Sequence, residues 1–311
     1  MNPLQKAILR TLIFFDIFDY PLTLVELWKW LYIADDADRS QTGRRQILDI
    51  EEAIGLMPDK VQLKNGFYFL KGREGIIQTR LSRYNISEEK FKRAIKFIRI
   101  LRFIPFIKCL FVCNRLGYSN VHADSDIDIA VVAQKNRLWL ARLFAVGLLS
   151  VMKVRLGQIA RGRAIDISLF FSEDNLNLES LKFNHDLIFP YWVSQFIPVY
   201  DQGIFAEFIK ANQRLNKYLP QAFFYQLNAR RQVGSGGLVK FVKWLLGLLA
   251  DWDFGERLAK SYQLKIMPQD LKNLMNNDSR VVINNQVLRL HRYDSWSEVQ
   301  RKFDRLISLM S

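Results

Sequence analysis

Three aspartates stand in apolar, strand-like segments near the middle of the chain. Asp126 and Asp128 are two residues apart at the start of a run of Ile, Ala and Val, and Asp166 lies between two isoleucines. Side chains alternate along a strand, so Asp126 and Asp128 point to the same side. Unpaired carboxylates in such surroundings are costly, and a divalent cation relieves that cost. Mg²⁺ favours a few carboxylates together with phosphate oxygens and water. The three aspartates therefore predict a site for two Mg²⁺ ions, which can clamp both oxygens of a phosphoryl displacement.

The strands and helices around these acids are predicted from apolar runs and from the residues that end them. The segment before the acids is a short apolar run between Pro105 and Asn114, which predicts a buried strand. Helical spacing of apolar residues predicts one helix ahead of that strand and another between the second and third strands. The predicted strands are Phe106–Cys113, Asp126–Val132 and Ala164–Phe171, and the predicted helices are Ser87–Phe103 and Asn136–Leu156.

The segment Ser125–Val132, preceded by a strand and a short loop, resembles the signature of the DNA polymerase beta-type nucleotidyltransferase superfamily. In that superfamily Asp-x-Asp begins one strand and a third Asp lies on a later strand. The resemblance covers roughly residues 104–172 and implies an α+β fold whose core is a small mixed sheet flanked by helices. It also implies that Asp126, Asp128 and Asp166 are catalytic and hold two Mg²⁺ ions, for which Mn²⁺ can substitute.

The implied reaction moves a nucleoside monophosphate from an NTP to a hydroxyl acceptor and releases pyrophosphate. Asp166 is the candidate to help deprotonate that hydroxyl. The acceptor classes are an RNA end, a protein or a small molecule. A winged-helix-like N-terminal region (residues 1–82) and a mainly helical C-terminal region (residues 176–311) are similar to the arrangement in uncharacterised bacterial and archaeal members of that superfamily.

The expected nucleotide contacts depart from the family pattern at one point. Where the superfamily has Gly-Ser, this chain has Cys113 and Asn114. A Cys side chain crowds a position at which glycine lets the backbone approach the triphosphate, while the Asn114 amide can replace the Ser hydroxyl as a donor. This departure puts turnover in question. The candidate nucleotide-binding residues are Asn114, Ser125, Arg142 and Arg163.

Residues 1–82 are predicted to form a winged-helix-like domain. Apolar residues from Leu4 to Phe18 recur at helical spacing, and Thr23 can cap a second helix. A third helix is expected from Thr42 to Leu56. Lys64-Asn65-Gly66 then separates two short apolar strands, and Asn-Gly in that position favours a β-hairpin. Winged helices bind nucleic acid or serve only as packing modules, and the sequence does not separate these roles.

The remaining chain is divided into a nucleotidyltransferase core with its leading basic helix, residues 83–175, and a mainly helical region, residues 176–311. The leading helix could track a phosphate backbone with its basic face, which comprises Lys90, Lys92, Arg93, Lys96, Arg99 and Arg102. In the last region a small hairpin is expected over residues 281–290. Leu238–Leu249 combines apolar, aromatic and basic residues as interfacial helices do, but burial against the core is the favoured interpretation.

Composition restricts the classes of partner. The 311 residues include 45 Lys and Arg against 31 Asp and Glu, which gives a net charge of +14. This excess favours polyanionic partners such as nucleotides, RNA or DNA. Two cysteines argue against a disulfide scaffold and fit a reducing compartment, so a cytoplasmic location is expected. No signal peptide or apolar run of membrane-spanning length is recognised.

The sequence disfavours a P-loop NTPase or a dinucleotide-dependent enzyme. It contains no Walker loop, dinucleotide-binding glycine pattern or Ser-His-Asp arrangement. The alternative function is a nucleic-acid-binding or protein-docking regulator whose transferase core has degenerated.

Overall fold

The computed structural model describes residues 1–33, 46–182, 187–222 and 228–310. Its fold is α+β, with a mixed six-stranded sheet flanked by helices and a small three-stranded sheet near the N-terminus. The beginning of the helix expected from Thr42 lies outside the described residues.

The N-terminal unit contains three described helices and the small sheet. Its elements are α1 (Pro3–Asp16), β1 (Leu22–Thr23), α2 (Leu24–Lys29), α3 (Ile47–Gly55), β2 (Val61–Lys64) and β3 (Phe67–Leu70). The Thr23 hydroxyl caps α2, as expected. The hairpin is also confirmed, because β2 pairs antiparallel with β3 around Asn65 and Gly66, which both have positive φ.

A long helix, α4 (Ile76–Leu101), joins this unit to the main sheet. It begins eleven residues before the expected Ser87, because nothing between Ile76 and Ser87 breaks a helix. Its first turns hold the N-terminal unit, since the Arg80 guanidinium bonds both carboxylate oxygens of Glu26 at 2.7 and 2.8 Å.

The main sheet has the strand order β7-β4-β5-β6-β9-β8. Its strands are β4 (Ile107–Val112), β5 (Ile127–Ala133), β6 (Ile165–Ser172), β7 (Ile197–Asp201), β8 (Val281–Ile283) and β9 (Val287–Leu290). Among the described strands of this sheet, β5 and β6 are the parallel pair, and α5 (Leu138–Val151) connects them. The three strands expected near the acids and the hairpin at residues 281–290 are confirmed. The region expected to be mainly helical thus supplies three of the six strands.

Helices cover both faces of this sheet. Alternate residues of β4 divide between them, with Cys109 and Phe111 in one apolar core and Leu110 and Val112 in the other. The N-terminal unit shares the first core with the sheet. The remaining helices are α6 (Ile188–Ser194), α7 (Ile204–Ala211), α8 (Gly237–Ala250), α9 (Asp253–Lys265), α10 (Gln269–Leu274) and α11 (Ser295–Met310).

Candidate active site

The three aspartates share the wall of one cleft of about 400 Å³. Asp128 on β5 and Asp166 on β6 are paired residues of the parallel ladder, so their side chains emerge side by side. Asp126 lies just before β5 and lines the same cleft. The parallel pairing of β5 with β6 therefore brings together the acids that the sequence separates by 38 residues.

Burial and mutual repulsion oppose ionisation of this acid group. Burial raises the pKa of Asp128, and the nearby charge of Asp166 raises it further, while a hydrogen bond from Asn114 acts in the opposite direction. Burial likewise raises the pKa of Asp166, against a lowering hydrogen bond from Ser168, and the charge of Asp126 adds to the rise. A positive charge between these carboxylates would remove both penalties.

The structure supplies little such charge within contact distance. Among the ion pairs formed by the described residues, none involves Asp126, Asp128 or Asp166. Arg115 and Arg155 lower the pKa values of Asp128 and Asp166 only through longer-range attraction.

The donor set is of the type that Mg²⁺ selects, since all three groups offer carboxylate oxygens beside an open cleft. Within the part of the chain that the structure describes, no group of three or more His, Cys, Asp or Glu side chains is arranged to hold a metal ion. The acids are thus brought to one place without being assembled into a ligand shell.

Asn114 stands where the sequence pattern departs from the family, and it is already bonded within the cleft. Its φ of +56° lies in the left-handed region, and it begins the 3₁₀ turn Asn114–Tyr118. Its Oδ1 accepts a hydrogen bond of 2.8 Å from Trp192 Nε1, and its side chain also bonds Asp128. Asn114 therefore orients Asp128 and ties it to α6. The close approach of the turn to α6 requires Gly117, where a Cβ would lie 2.3 Å from the Gln195 carbonyl oxygen.

Ser125 also lines the cleft, and Lys90 hydrogen-bonds to the loop that carries it. The Lys90 ammonium donates to the carbonyls of Ala123, Ser125 and Gly162, at 3.0 Å for Ala123 and 2.7 Å for Gly162. The Gly162 amide in turn lies 3.4 Å from Asp126 Oδ1. The buried Lys90 ammonium thus links the loop before β5, which leads to Asp126 and Asp128, with the loop before β6, which leads to Asp166.

The basic face expected on α4 is therefore divided. Lys90 is buried, Arg93 donates to the Arg163 carbonyl, and Arg102 donates to a backbone carbonyl near residue 234. The exposed basic side chains are Lys92, Lys96 and Arg99. Half of the predicted face consequently holds the fold together and is not directed to a polyanion.

The last strand and the last helix form another part of the cleft wall, beside the acids. Arg289 on β9 is 3 % exposed and lies between the rings of Trp192 and Trp296, 5.1 and 4.6 Å from their centroids. Its guanidinium also donates to the Leu181 carbonyl at 3.1 Å. This part of the wall adds a cation and two large aromatic rings to the cleft that the acids line.

A polar connection runs from Asp166 to this wall. Ser168 bonds Asp166, and its Oγ lies 3.4 Å from His291 Nε2. Burial lowers the pKa of His291 to about 4, and the charge of Arg289 contributes. His291 is therefore neutral near pH 7 and can accept or donate a hydrogen bond to Ser168. Sequence reasoning missed both Arg289 and His291, which lie more than 100 residues beyond the acids and match no motif.

Two expected nucleotide contacts lie outside the cleft lining. Arg142 is on α5, where its guanidinium donates to Gln263 of α9 at 2.5 Å. Arg163 is exposed on the loop before β6. The cleft is instead lined by Arg115, Arg280 and Arg289.

Comparison with known proteins gives no match, whether to a protein-family model, to a curated protein or to a solved structure. In the described segments, no helix has the length and apolar character needed to cross a membrane.

Proposed function

We propose that this protein is a metal-dependent nucleotidyltransferase with a winged-helix-like N-terminal unit and a polymerase beta-like core. The observation that carries the proposal is the pairing of Asp128 with Asp166 across two parallel strands, beside Asp126, at the wall of an open cleft. Two half-buried carboxylates whose ionisation is opposed by burial and by each other are unfavourable without a cationic ligand. Their presence in apolar strands is explained by the binding of such a ligand.

Asp126, Asp128 and Asp166 would hold Mg²⁺, which on binding supplies charge neutralisation for the carboxylates and for a triphosphate. Asp166 accepts the proton of the acceptor hydroxyl. The acceptor oxygen forms a bond to the α-phosphorus, and the bond between that phosphorus and the pyrophosphate oxygen breaks. Arg115 and Arg280 face the cleft and offset the negative charge of the phosphates.

The N-terminal unit supports this proposal as part of the cleft. Phe14 and Phe18 of this unit line it, and the Phe14 ring stacks on Tyr191 of α6 at a centroid distance of 4.0 Å. This packing favours the role of a structural wall beside the acceptor over that of a separate nucleic-acid-binding module.

The proposal is tested by incubating the full chain with Mg²⁺ and each labelled NTP, alone and with bulk RNA. Label transfer with release of pyrophosphate is expected. The double variant Asp126→Ala with Asp128→Ala should abolish transfer and bind Mn²⁺ at least about tenfold more weakly. The control Asp124→Ala removes an exposed acid two residues away and should leave both unchanged.

Equal label incorporation by the double variant would refute the assignment of the acids. No transfer with any NTP, together with salt-dependent binding of RNA or DNA, would favour the alternative of a nucleic-acid-binding regulator with a degenerate core. Label on a co-purified polypeptide would identify a protein as the acceptor.

A further inference from the structure

Helix α8 presents an apolar stripe to solvent. Phe241, Trp244, Leu245 and Leu248 recur at helical spacing on one face of this helix. Phe241, Trp244 and Leu248 are each more than half exposed, and so are the flanking residues Leu238 and Leu249. A helix in a monomeric soluble domain normally turns such a stripe inward, and a continuous exposed apolar face marks an interaction site.

The opposite face of α8 fixes this orientation. Val239 and Lys243 are the residues of the helix that are buried. The Lys243 ammonium donates to the Ile107 carbonyl at the start of β4, and it lies 3.2 Å from the Tyr200 hydroxyl on β7. Turning the helix over would withdraw these bonds and leave polar groups of the sheet without their donor. The outward stripe is thus built into the fold.

The next helix repeats the pattern. On α9, Ala259 and Gln263 are buried, and the Gln263 amide donates to the Trp139 carbonyl of α5. The apolar side chains of α9 and of the residues just before and after it that are more than half exposed are Trp252, Phe254, Leu258, Tyr262 and Ile266. Two consecutive helices therefore direct large apolar and aromatic side chains to solvent.

The acidic side chains of this segment are all bonded to the body of the protein. Arg137 forms ion pairs with Asp251 and Asp253. Glu256 accepts hydrogen bonds of 2.8 and 2.9 Å from the amides of Trp139 and Leu140 at the start of α5. Apart from the buried Lys243, the other charged residues over positions 236–266 are Lys240, Arg257, Lys260 and Lys265, all of them basic. The surface is consequently apolar and aromatic, with basic groups beside it.

We propose that the exposed faces of α8 and α9 bind the surface of a bilayer that contains anionic lipids. Tryptophan and tyrosine suit the interface between headgroups and acyl chains, and basic side chains beside them attract anionic headgroups. A second copy of the chain is a poorer occupant. A two-fold interface would bring the basic groups of two identical helices together, and the local acids are already paired. The helices lie on the surface without crossing the bilayer.

The test is flotation of the full chain with vesicles of phosphatidylcholine alone and of phosphatidylcholine and phosphatidylglycerol in equal parts. Binding to the anionic vesicles, weakened by salt, is expected. Trp244→Glu combined with Leu248→Glu should weaken binding at least about tenfold, because it removes two apolar anchors and adds two negative charges. The control Leu63→Glu alters an equally exposed leucine of the N-terminal hairpin and should bind as the unaltered protein does.

A second pair of variants tests the electrostatic part. Lys240→Gln and Arg257→Gln should each weaken binding to anionic vesicles by about fivefold and leave binding to neutral vesicles unchanged. Absence of vesicle binding would overturn the proposal, as would equal binding by the Trp244→Glu, Leu248→Glu variant. Dimerisation that this variant abolishes, without any vesicle binding, would assign the face to a second copy instead. Nucleotidyl transfer is measured separately, so failure of either proposal leaves the other standing.

Discussion

Replacing Lys90 by methionine tests whether one buried cation positions the candidate active site. Methionine keeps the apolar stem of the side chain and removes the ammonium, so the packing of α4 is largely preserved. The ammonium donates to three carbonyls on the two loops that flank Asp126. Its loss therefore affects the position of Asp126 as well as the free energy of unfolding.

The magnitude follows from the burial of these bonds. The bond from Lys90 to the Gly162 carbonyl is buried, and a buried carbonyl left without a donor costs about 1–3 kcal/mol. The bonds to Ala123 and Ser125 are partly buried, so water recovers part of their loss. Removing the charge also removes its own cost of burial, the effect that lowers the pKa of Lys90. We expect a net loss of about 2–4 kcal/mol.

Urea denaturation in metal-free buffer measures the stability loss, and amide exchange over residues 121–126 and 160–164 measures the loosening of the two loops. Lys92→Met is the matched control, because Lys92 lies on the same helix and is exposed. Its expected effect on stability is below about 0.5 kcal/mol. If Lys90→Met and Lys92→Met have the same effect on stability and on loop exchange, Lys90 does not position the site and the reasoning is refuted.

Two further predictions concern the backbone and the acids. Gly162→Ala should destabilise the protein by at least about 3 kcal/mol in urea, because φ is +82° and the added Cβ would lie 2.0 Å from the Ala123 carbonyl oxygen. Gly157→Ala, with a φ of +83° and open space, should cost only about 1 kcal/mol, and equal losses would contradict the assigned clash. In EDTA the unaltered protein should lose stability as the pH rises from about 4 to about 7, because burial and the charge of Asp166 raise the pKa of Asp128 from 3.8 to about 7, so the folded state keeps a proton that the unfolded chain has already lost. Asp128→Asn should flatten this dependence, and equal pH slopes of unfolding free energy would show that Asp128 is not the group responsible.

The local elements around the acids could be predicted from sequence because each is specified by its own residues. One apolar run, bounded by Pro105 and Asn114, marks the position of β4. The Asn65-Gly66 pair supplies the positive φ angles that the hairpin of β2 and β3 needs. Alternation placed Asp126 and Asp128 on one side of a strand. A helix between two strands is typical of a parallel crossover, which agrees with neighbouring strands for Asp128 and Asp166, but the register that pairs these two residues comes from the structure.

The part of the cleft wall that comes from β9 and the residues after it could not be predicted in this way. Arg289 and His291 belong to a short hairpin whose pattern fixes its own turn but carries no information on which strand it will join. That hairpin pairs with β6 through Leu169 and Arg289, and this long-range pairing brings both residues to the acids. Contacts of this kind depend on tertiary packing, which local periodicity does not record.

The orientation of helix α8 also could not be predicted from the sequence. Periodicity identifies residues that share a face, such as Trp244 and Leu248, but a helix that is apolar around most of its circumference does not reveal which face meets the core. The sequence favours burial of this segment against the core, whereas in the structure only Val239 and Lys243 of the helix are buried. In the structure its inward contacts include Lys243, a residue that composition alone would place in solvent.

The acid pair differs from Lys90, Lys243 and Glu26 in what stabilises it. Lys90 and Lys243 are each bonded to backbone carbonyls, and Glu26 is paired with Arg80. These charges stabilise the fold through the groups that they bond. Asp128 and Asp166 repel each other, and Asn114 and Ser168 offset only part of that cost. A fold tolerates such an arrangement where the missing charge arrives with a ligand, so the repulsion between these carboxylates supports the proposed binding of a cation at this site.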